Sequence, residues 1–165
     1  MNLKNFTLKN FTELDNTEKS IVLSWRNDKN VRKWMYNSEI ISIKNHMKFI
    51  TGLINDVQNQ YFLIKDGSES IGVIYFNKID KENNSCYFGL YGASNSNVRG
   101  LGRILEEISI NYTFNVLKVN KLKLEVFEDN IQVINLHKKY KFIINDEKVI
   151  NNKKVICMEL KNENR

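Results

Sequence analysis

The stretch YFGLYGASNSNVRGLGRIL, Tyr87 to Leu105, decides how the rest of the chain is read. Tyr87–Tyr91 is a short apolar, aromatic run of the kind that makes a buried strand. Gly92–Asn97 is small and polar, as a loop is. Leu101, Ile104, Leu105, Ile108 and Tyr112 then recur at helical spacing. A helix is expected from about Gly100, with Gly100 and Gly102 in its first turn. Each glycine inside a helix costs roughly 1 kcal/mol relative to alanine. Two in one turn need a reason. Close packing of the helix start on a strand is one. Access to the free N–H groups and the positive dipole end of the first turn is the other. Arg99 and Arg103 add positive charge, which favours an anion site.

Asn97-Val98-Arg99-Gly100-Leu101-Gly102 resembles the acyl-CoA loop of the GCN5-related N-acetyltransferase (GNAT) superfamily, Arg/Gln-x-x-Gly-x-Gly/Ala. Asn97 stands where Arg or Gln is usual, which removes a side-chain donor and leaves the backbone cradle. The stretch is neither a Walker loop, which would continue Lys-Ser/Thr, nor the dinucleotide fingerprint Gly-x-Gly-x-x-Gly.

Outward from this stretch, Leu3–Phe11 alternates well enough for a first strand. Asp15 or Asn16 caps a helix from about Thr17 that buries Ile21, Val22 and Trp25. A short helix, Val31–Tyr36, follows. Ser42 caps another, Ile43–Ile54, with Met47, Ile50 and Ile54 on one face. Tyr61–Lys65 and Ile71–Asn77 read as strands joined at Asp66-Gly67, and Asn83-Asn84 turns the chain into the central strand. After the long helix, Lys121–Phe127 alternates strictly: Leu122, Leu124 and Val126 face one way, Lys123, Glu125 and Phe127 the other. A helix from Asp129 or Asn130 runs to about Tyr140. Phe142–Ile144 and Lys154–Leu160 close the chain as strands, with a turn at Asn151-Asn152. This element order resembles the GNAT fold over nearly the whole chain. The resemblance implies an α/β fold: a mixed, mostly antiparallel sheet of about seven strands flanked by about four helices. It also implies a splayed strand pair, here the strands ending at Tyr91 and Phe127, forming the acyl-CoA cleft.

At 165 residues the chain is read as one domain, 1–165, large enough for a core. An apolar share of 42% argues against disorder. The net charge of +6 admits nucleic acid, anionic membranes or phosphorylated small molecules as partners. The basic residues form no long run, and no RNA-stacking or zinc-ligand spacing occurs. Small phosphorylated ligands are therefore favoured, with no nucleic acid, no membrane and no metal. Cys86 and Cys157 lie in strand-like apolar runs and read as buried free thiols of a reducing compartment. No secretory h-region or membrane-length apolar run is seen, so a cytoplasmic location is expected. The sequence admits a homodimer without requiring one.

The family resemblance implies acetyl-CoA as cofactor and amide formation as the reaction. Backbone amides of Val98, Arg99, Gly100, Leu101, Gly102 and Arg103 would hold the diphosphate. The N–H of Leu90 or Tyr91, freed by a family bulge with which Gly89 is compatible, would polarise the carbonyl. Gly89 reads equally as a packing glycine. Asn130, Leu136 and Phe142 match the family's second signature, Asn-x-x-Ala, Leu-Tyr, Gly-Phe. His137 stands where the usual Tyr donates a proton to the departing thiolate, and Lys141 replaces the Gly. Histidine can serve as that acid. Tyr140 is a second candidate, and a helix-surface place for His137 stays open. Glu125 is a candidate base for the amine, with partnership to Lys123 or a nearby lysine the plainer reading.

Trp25-Arg26-Asn27, Val31–Tyr36, Ile41-Ser42, His46 and Phe49-Ile50 bring aromatic, basic and sulfur side chains close together, a composition that suits a wall for a nucleotide and equally an ordinary aromatic core with surface charges. This block, with Phe88–Tyr91 and Lys123–Val126, is similar to the nucleotide-sugar N-acetyltransferases of pseudaminic acid biosynthesis, a branch of the same superfamily. The resemblance implies a UDP-linked 4-amino-4,6-dideoxy-N-acetyl-altrosamine as acceptor, with the product sugar destined for flagellin. Arg26, His46 and Lys78 would then hold the UDP, and Asn77 and Tyr91 line the pocket. Acetylation of a protein N-terminus and a non-catalytic acyl-CoA-binding module remain the alternatives.

Overall fold

The computed structural model describes residues 2–165. Seven strands form one open sheet in the order β1-β2-β3-β4-β5-β7-β6. They are β1 (Phe6–Asn10), β2 (Gln60–Asp66), β3 (Glu69–Asp80), β4 (Ser85–Tyr91), β5 (Lys121–Phe127), β6 (Ile143–Ile150) and β7 (Lys153–Lys161). The helices are α1 (Asn16–Asn27), α2 (Lys29–Arg32), α3 (Ile43–Gly52), α4 (Leu101–Asn111) and α5 (Ile131–Lys139). All neighbours pair antiparallel except β4 and β5, which are parallel and joined through α4.

Strand alternation divides the core between the two faces of the sheet. On one face Ile74, Phe76, Phe88, Leu122, Leu124 and Met158 pack against Ile104, Leu105 and Ile108 of α4 and Ile134 of α5. On the other, Leu63 and Val73 pack with Phe11, Leu14, Val22 and Ile50, flanked by Trp25, Tyr61, Tyr75 and Tyr91. The two helical layers therefore stand on opposite sides of β4, the strand that carries the central motif.

Several boundaries differ from the sequence reading. The first strand is only Phe6–Asn10, flanked by single 3-10 turns that Asn2 and Asn10 cap. The helix expected at Val31–Tyr36 is instead Lys29–Arg32, capped by Asp28. In α1 the buried residues are Glu18, Val22 and Leu23, while Ile21 and Trp25 are partly exposed; Ile54 is exposed, beyond the end of α3. Strand β6 is longer than Phe142–Ile144 because backbone pairing to β7 carries it through the polar run Asn145–Lys148. Asn151 and Asn152 have φ of +53° and +60°, the geometry of a tight hairpin turn. Beyond α4 the helix widens into a π segment, Tyr112–Leu117, that no periodicity signalled.

Glu18 pins α1 to the sheet. It closes a capping box with Asp15 and takes bonds from Lys9 of β1 at 2.7 Å and Lys65 of β2 at 2.9 Å. Burial pushes its carboxyl up, but the two lysines and the Asp15 N–H outweigh this and hold it at about 2. A carboxyl held below its ordinary value of 4.5 stabilises the fold fully above that value, and the contribution is lost as pH falls toward 2. Thermal melts from pH 6 down to about pH 2 should show Glu18→Gln destabilised at pH 6 and converging on the parent at the acid end. A constant gap across the range would refute this linkage.

Candidate active site

Strands β4 and β5 pair only from Ser85–Lys121 to Tyr87–Lys123. Beyond that point they part, and a cavity of about 240 Å³ opens between Phe88–Gly92 on one side and Leu124–Val126 on the other. Asn130, Val133 and His137 of the α5 region close one wall, and Asn30, Val31, Trp34 and Met35 cover the other. No bulge occurs in β4, contrary to expectation: its register with β3 is unbroken from Tyr87 to Tyr91. The splay frees a donor instead. The Tyr91 carbonyl lies against Gly72 of β3, 3.2 Å from where a Cβ would stand. In an antiparallel pair the N–H and C=O of one residue point to the same neighbour. Tyr91 therefore faces β3, and the N–H of Leu90 faces the cleft.

Gly89 is a packing glycine. A Cβ there would stand 2.2 Å from the Tyr75 ring, which stacks on Tyr61 with centroids 4.9 Å apart.

Beyond β4, residues 98–103 do not line the cavity, but a Cβ on Gly92 in its wall would stand 2.8 Å from the Leu101 side chain. Gly100 is the α4 N-cap, at φ +73°, with no side-chain cap. That left-handed conformation, rather than crowding, accounts for the glycine. The first α4 bond is Ile104 N–H to the Gly100 carbonyl, 3.1 Å. Among the described residues, the N–H groups of Arg99, Gly100, Leu101, Gly102 and Arg103 meet no acceptor within the chain. Val98 departs from the sequence expectation: its N–H is donated to Ser96 Oγ at 3.2 Å, so it is not a free donor. A Cβ on Gly102 would touch only Leu136, at 3.4 Å. Five unpartnered donors at and just before a helix start, with the Arg99 and Arg103 side chains exposed, suit an anion such as a diphosphate. Asn130 is buried at the start of α5, where its side chain makes no capping bond and borders the same cavity.

His137 is not on the surface. It lies in the cavity wall, 4% exposed, with Nδ1 2.8 Å from Oε1 of the fully buried Glu106 on α4. Tyr140 goes elsewhere. Its hydroxyl donates to Glu107 Oε1 at 2.7 Å, and it lines no part of the cavity. Burial and the Glu107 carboxylate raise its phenol, so it holds its proton more tightly than a free tyrosine. The helix ends before Tyr140, whose ring turns to the α4 flank instead of the cleft.

Glu125 lines the cavity from β5. Its partner is not Lys123 but Lys148 of β6, at 2.6 Å, with Tyr36 donating to the same oxygen at 2.5 Å. Burial pushes the carboxyl up, but these two bonds outweigh it and leave it below the usual range.

A second cavity of about 310 Å³ lies on the α1–α3 side of the sheet. Arg26, Tyr36, His46, Tyr61, Asn77 and Tyr91 are among its walls, and Met35, Tyr75 and Tyr91 border both cavities. Arg26 Nη2 donates to the Asn37 carbonyl at 2.8 Å, while Nη1 is buried and unpartnered among the described residues. His46 is buried, with Nε2 3.0 Å from the Lys19 carbonyl, and burial lowers its proton affinity. Asn77 donates to Asn59 Oδ1 at 2.8 Å. Lys78 is outside both walls: at φ +49° its chain turns, and its ammonium sits over the Tyr87 ring at 5.0 Å. Cys86 is buried and its thiol pushed up to about 11 by that burial, which makes it inert; Cys157 is only partly covered.

The sequence reading missed Lys148, Tyr75 and Glu106, and had Tyr36 only in the aromatic block, not as a partner of Glu125. Glu106 alone left a trace: it is a charged residue within the turn that places Ile104, Leu105 and Ile108 inside.

Comparison with known proteins places this geometry. The acetyltransferase (GNAT) domain model matches residues 5–143. Acetyltransferase PseH of Campylobacter jejuni is 39% identical over 140 residues, 85% of this chain and 86% of the relative. The crystal structure of Campylobacter jejuni N-acetyltransferase PseH in complex with acetyl coenzyme A superposes with a TM-score of 0.77 at 34% identity, covering 95% of this chain and 99% of that one. A Vibrio cholerae spermidine N-acetyltransferase shares the fold at 19% identity, with a TM-score of 0.86 over 97% of each chain. Splayed strands, a glycine-started helix with idle N–H groups and a matching family profile make one statement: this chain belongs to the GNAT acetyltransferase family.

Proposed function

We propose that the protein is an N-acetyltransferase of pseudaminic acid biosynthesis. In this reading, residues 1–165 act as one domain and transfer acetyl from acetyl-CoA to the 4-amino group of a UDP-linked 4-amino-4,6-dideoxy-N-acetyl-altrosamine. The observation that carries the proposal is that two cavities adjoin, with Met35, Tyr75 and Tyr91 in the walls of both. The wall of one includes Gly92, beside the Leu101 side chain at the start of α4, and the wall of the other includes Arg26 with its unpartnered nitrogen. Each is too small for a whole coenzyme or nucleotide sugar, so each takes a reacting arm while the rest of the ligand lies outside.

Acetyl-CoA supplies an activated thioester. The N–H groups from Arg99 to Arg103 hold its diphosphate, Asn130 borders the pantetheine path, and the N–H of Leu90 draws charge onto the thioester oxygen as the amine adds. Glu125 is charged throughout the neutral range. It takes the ammonium proton transiently and passes it to water, since a carboxylate held this low is a weak store for a proton. His137 Nε2 gives a proton to the leaving thiolate. Arg26 and His46 bind the nucleotide, with Asn77 and Tyr91 beside it; Lys78 contributes field from outside the wall. The positive net charge suits two anionic ligands. The enzyme works in the cytoplasm, and its product goes toward flagellin.

Incubation of the protein with acetyl-CoA and the UDP-4-amino-sugar should release free thiol and add one acetyl mass to the sugar. Thiol release with N-terminal peptides but not with the sugar would replace the acceptor. Binding of acetyl-CoA without thiol release from either would make the chain a non-catalytic module.

A further inference from the structure

Helix α4 carries a carboxylate that folding does not obviously require. Glu106 is fully buried among Ile104, Leu105 and Ile108. Oε1 meets His137 Nδ1 at 2.8 Å, and Oε2 has no partner among the described residues. A carboxylate with an idle oxygen is costly in a core, and apolar replacement of a buried charged pair is often neutral or stabilising. The pair lies in the wall of the acyl-CoA cleft, with the His137 ring edge-on to Phe88 at 5.7 Å and tilted against Phe142 at 5.5 Å.

We infer that Glu106 is a positioning residue for acetyl transfer, fixing His137 through Nδ1 so that Nε2 carries the proton for the leaving thiolate. This rests on the acetyltransferase reading above and adds to it the residue that holds the ring in place: the donating form is the doubly protonated ring, and the proton left after donation stays on Nδ1. The pair holds two protons, one between Oε1 and Nδ1 and one on Nε2. When the C–S bond breaks, the electron pair stays on sulfur and the Nε2 proton moves to it. The shared proton stays on Nδ1 against the carboxylate, and solvent restores the other after the thiol departs. Two-point aromatic contact keeps the ring from flipping, so a single nitrogen does the work. The other charged groups nearby are engaged or exposed: Glu107 bonds Tyr140, Glu125 bonds Lys148 and Tyr36, and Arg103, Lys138 and Lys139 are exposed.

Glu106→Met tests this. The chain has two histidines, so 15N spectra of labelled imidazoles resolve His137, with His137→Gln for assignment. At a pH where the imidazole is neutral, the parent should hold its proton on Nδ1, and Glu106→Met should lose that preference. Its kcat should fall about 100-fold, with the acetyl-CoA KM within about twofold of the parent. Glu106→Gln, which keeps an acceptor and the shape, should lose about 10-fold and serves if the Met variant does not fold. Adding His137→Gln to either should cost little more. A kcat within about threefold of the parent, or an unchanged tautomer, would overturn the inference. The spectra need no substrate, so a parent protein that never transfers acetyl sinks the enzyme reading without touching the pairing. Full transfer with unchanged spectra sinks the pairing alone.

Discussion

An acetyl-CoA KM raised about 100-fold, with kcat little changed, is the expected result of Gly102→Asp. The new carboxylate stands in the first turn of α4, within the run of N–H groups that have no acceptor in the chain. A like charge about 4 Å from a diphosphate costs about 4 kcal/mol at the effective dielectric of a protein surface. Screening reduces this to about 3 kcal/mol, which is the 100-fold. The fold should tolerate the change. Gly102 has no positive φ, its Cβ would meet only Leu136 at 3.4 Å, and an acidic residue near a helix start is favourable. Melting temperature should therefore hold or rise while coenzyme binding, read by calorimetry, weakens. Unweakened binding would mean that the diphosphate goes elsewhere.

Gly89→Ala should reduce both stability and turnover. Its methyl group would stand 2.2 Å from Cζ and Oη of Tyr75. The Tyr75 ring is stacked on Tyr61, which packs edge-on to Phe49 at 4.9 Å, so the ring has little room to retreat. Overpacking of this kind costs about 1–3 kcal/mol, or several degrees of melting temperature. Tyr75 and Tyr91 form the wall common to both cavities, so kcat/KM should fall roughly 100-fold when Tyr75 is displaced. Gly89→Ala combined with Tyr75→Leu should regain stability without regaining turnover. If Gly89→Ala alone leaves both unchanged, the Tyr75 ring is not a fixed wall.

Local rules governed what the sequence could disclose about the site. The glycine-started helix is a matter of periodicity and backbone conformation within a few residues, and Gly100 at φ +73° is where the pattern put it. Strand β5 matched to the residue because strict alternation is legible wherever one face is buried. Strand β6 was underestimated because its residues are nearly all exposed, so no alternation marks it; pairing to β7 makes it a strand. The free donor in β4 was expected from a bulge and arises from the loss of a neighbour, which is a property of two strands and invisible in one. Val98 failed as a donor for a local reason, a serine two residues back that happens to turn toward it.

Partnership was decided only in three dimensions. Glu125 and Lys148 lie on different strands, and Tyr36 reaches them from the segment after α2. His137 and Glu106 come from different helices whose meeting depends on both packing over β4. The sequence by itself determined the order of elements, the family resemblance and the place of the glycine turn that starts α4, because these depend on short-range spacing of apolar residues and glycine. Which histidine nitrogen meets Glu106, which lysine neutralises Glu125 and where Tyr140 points were settled by long-range packing. Such contacts join residues tens of positions apart, and no short window of sequence encodes them.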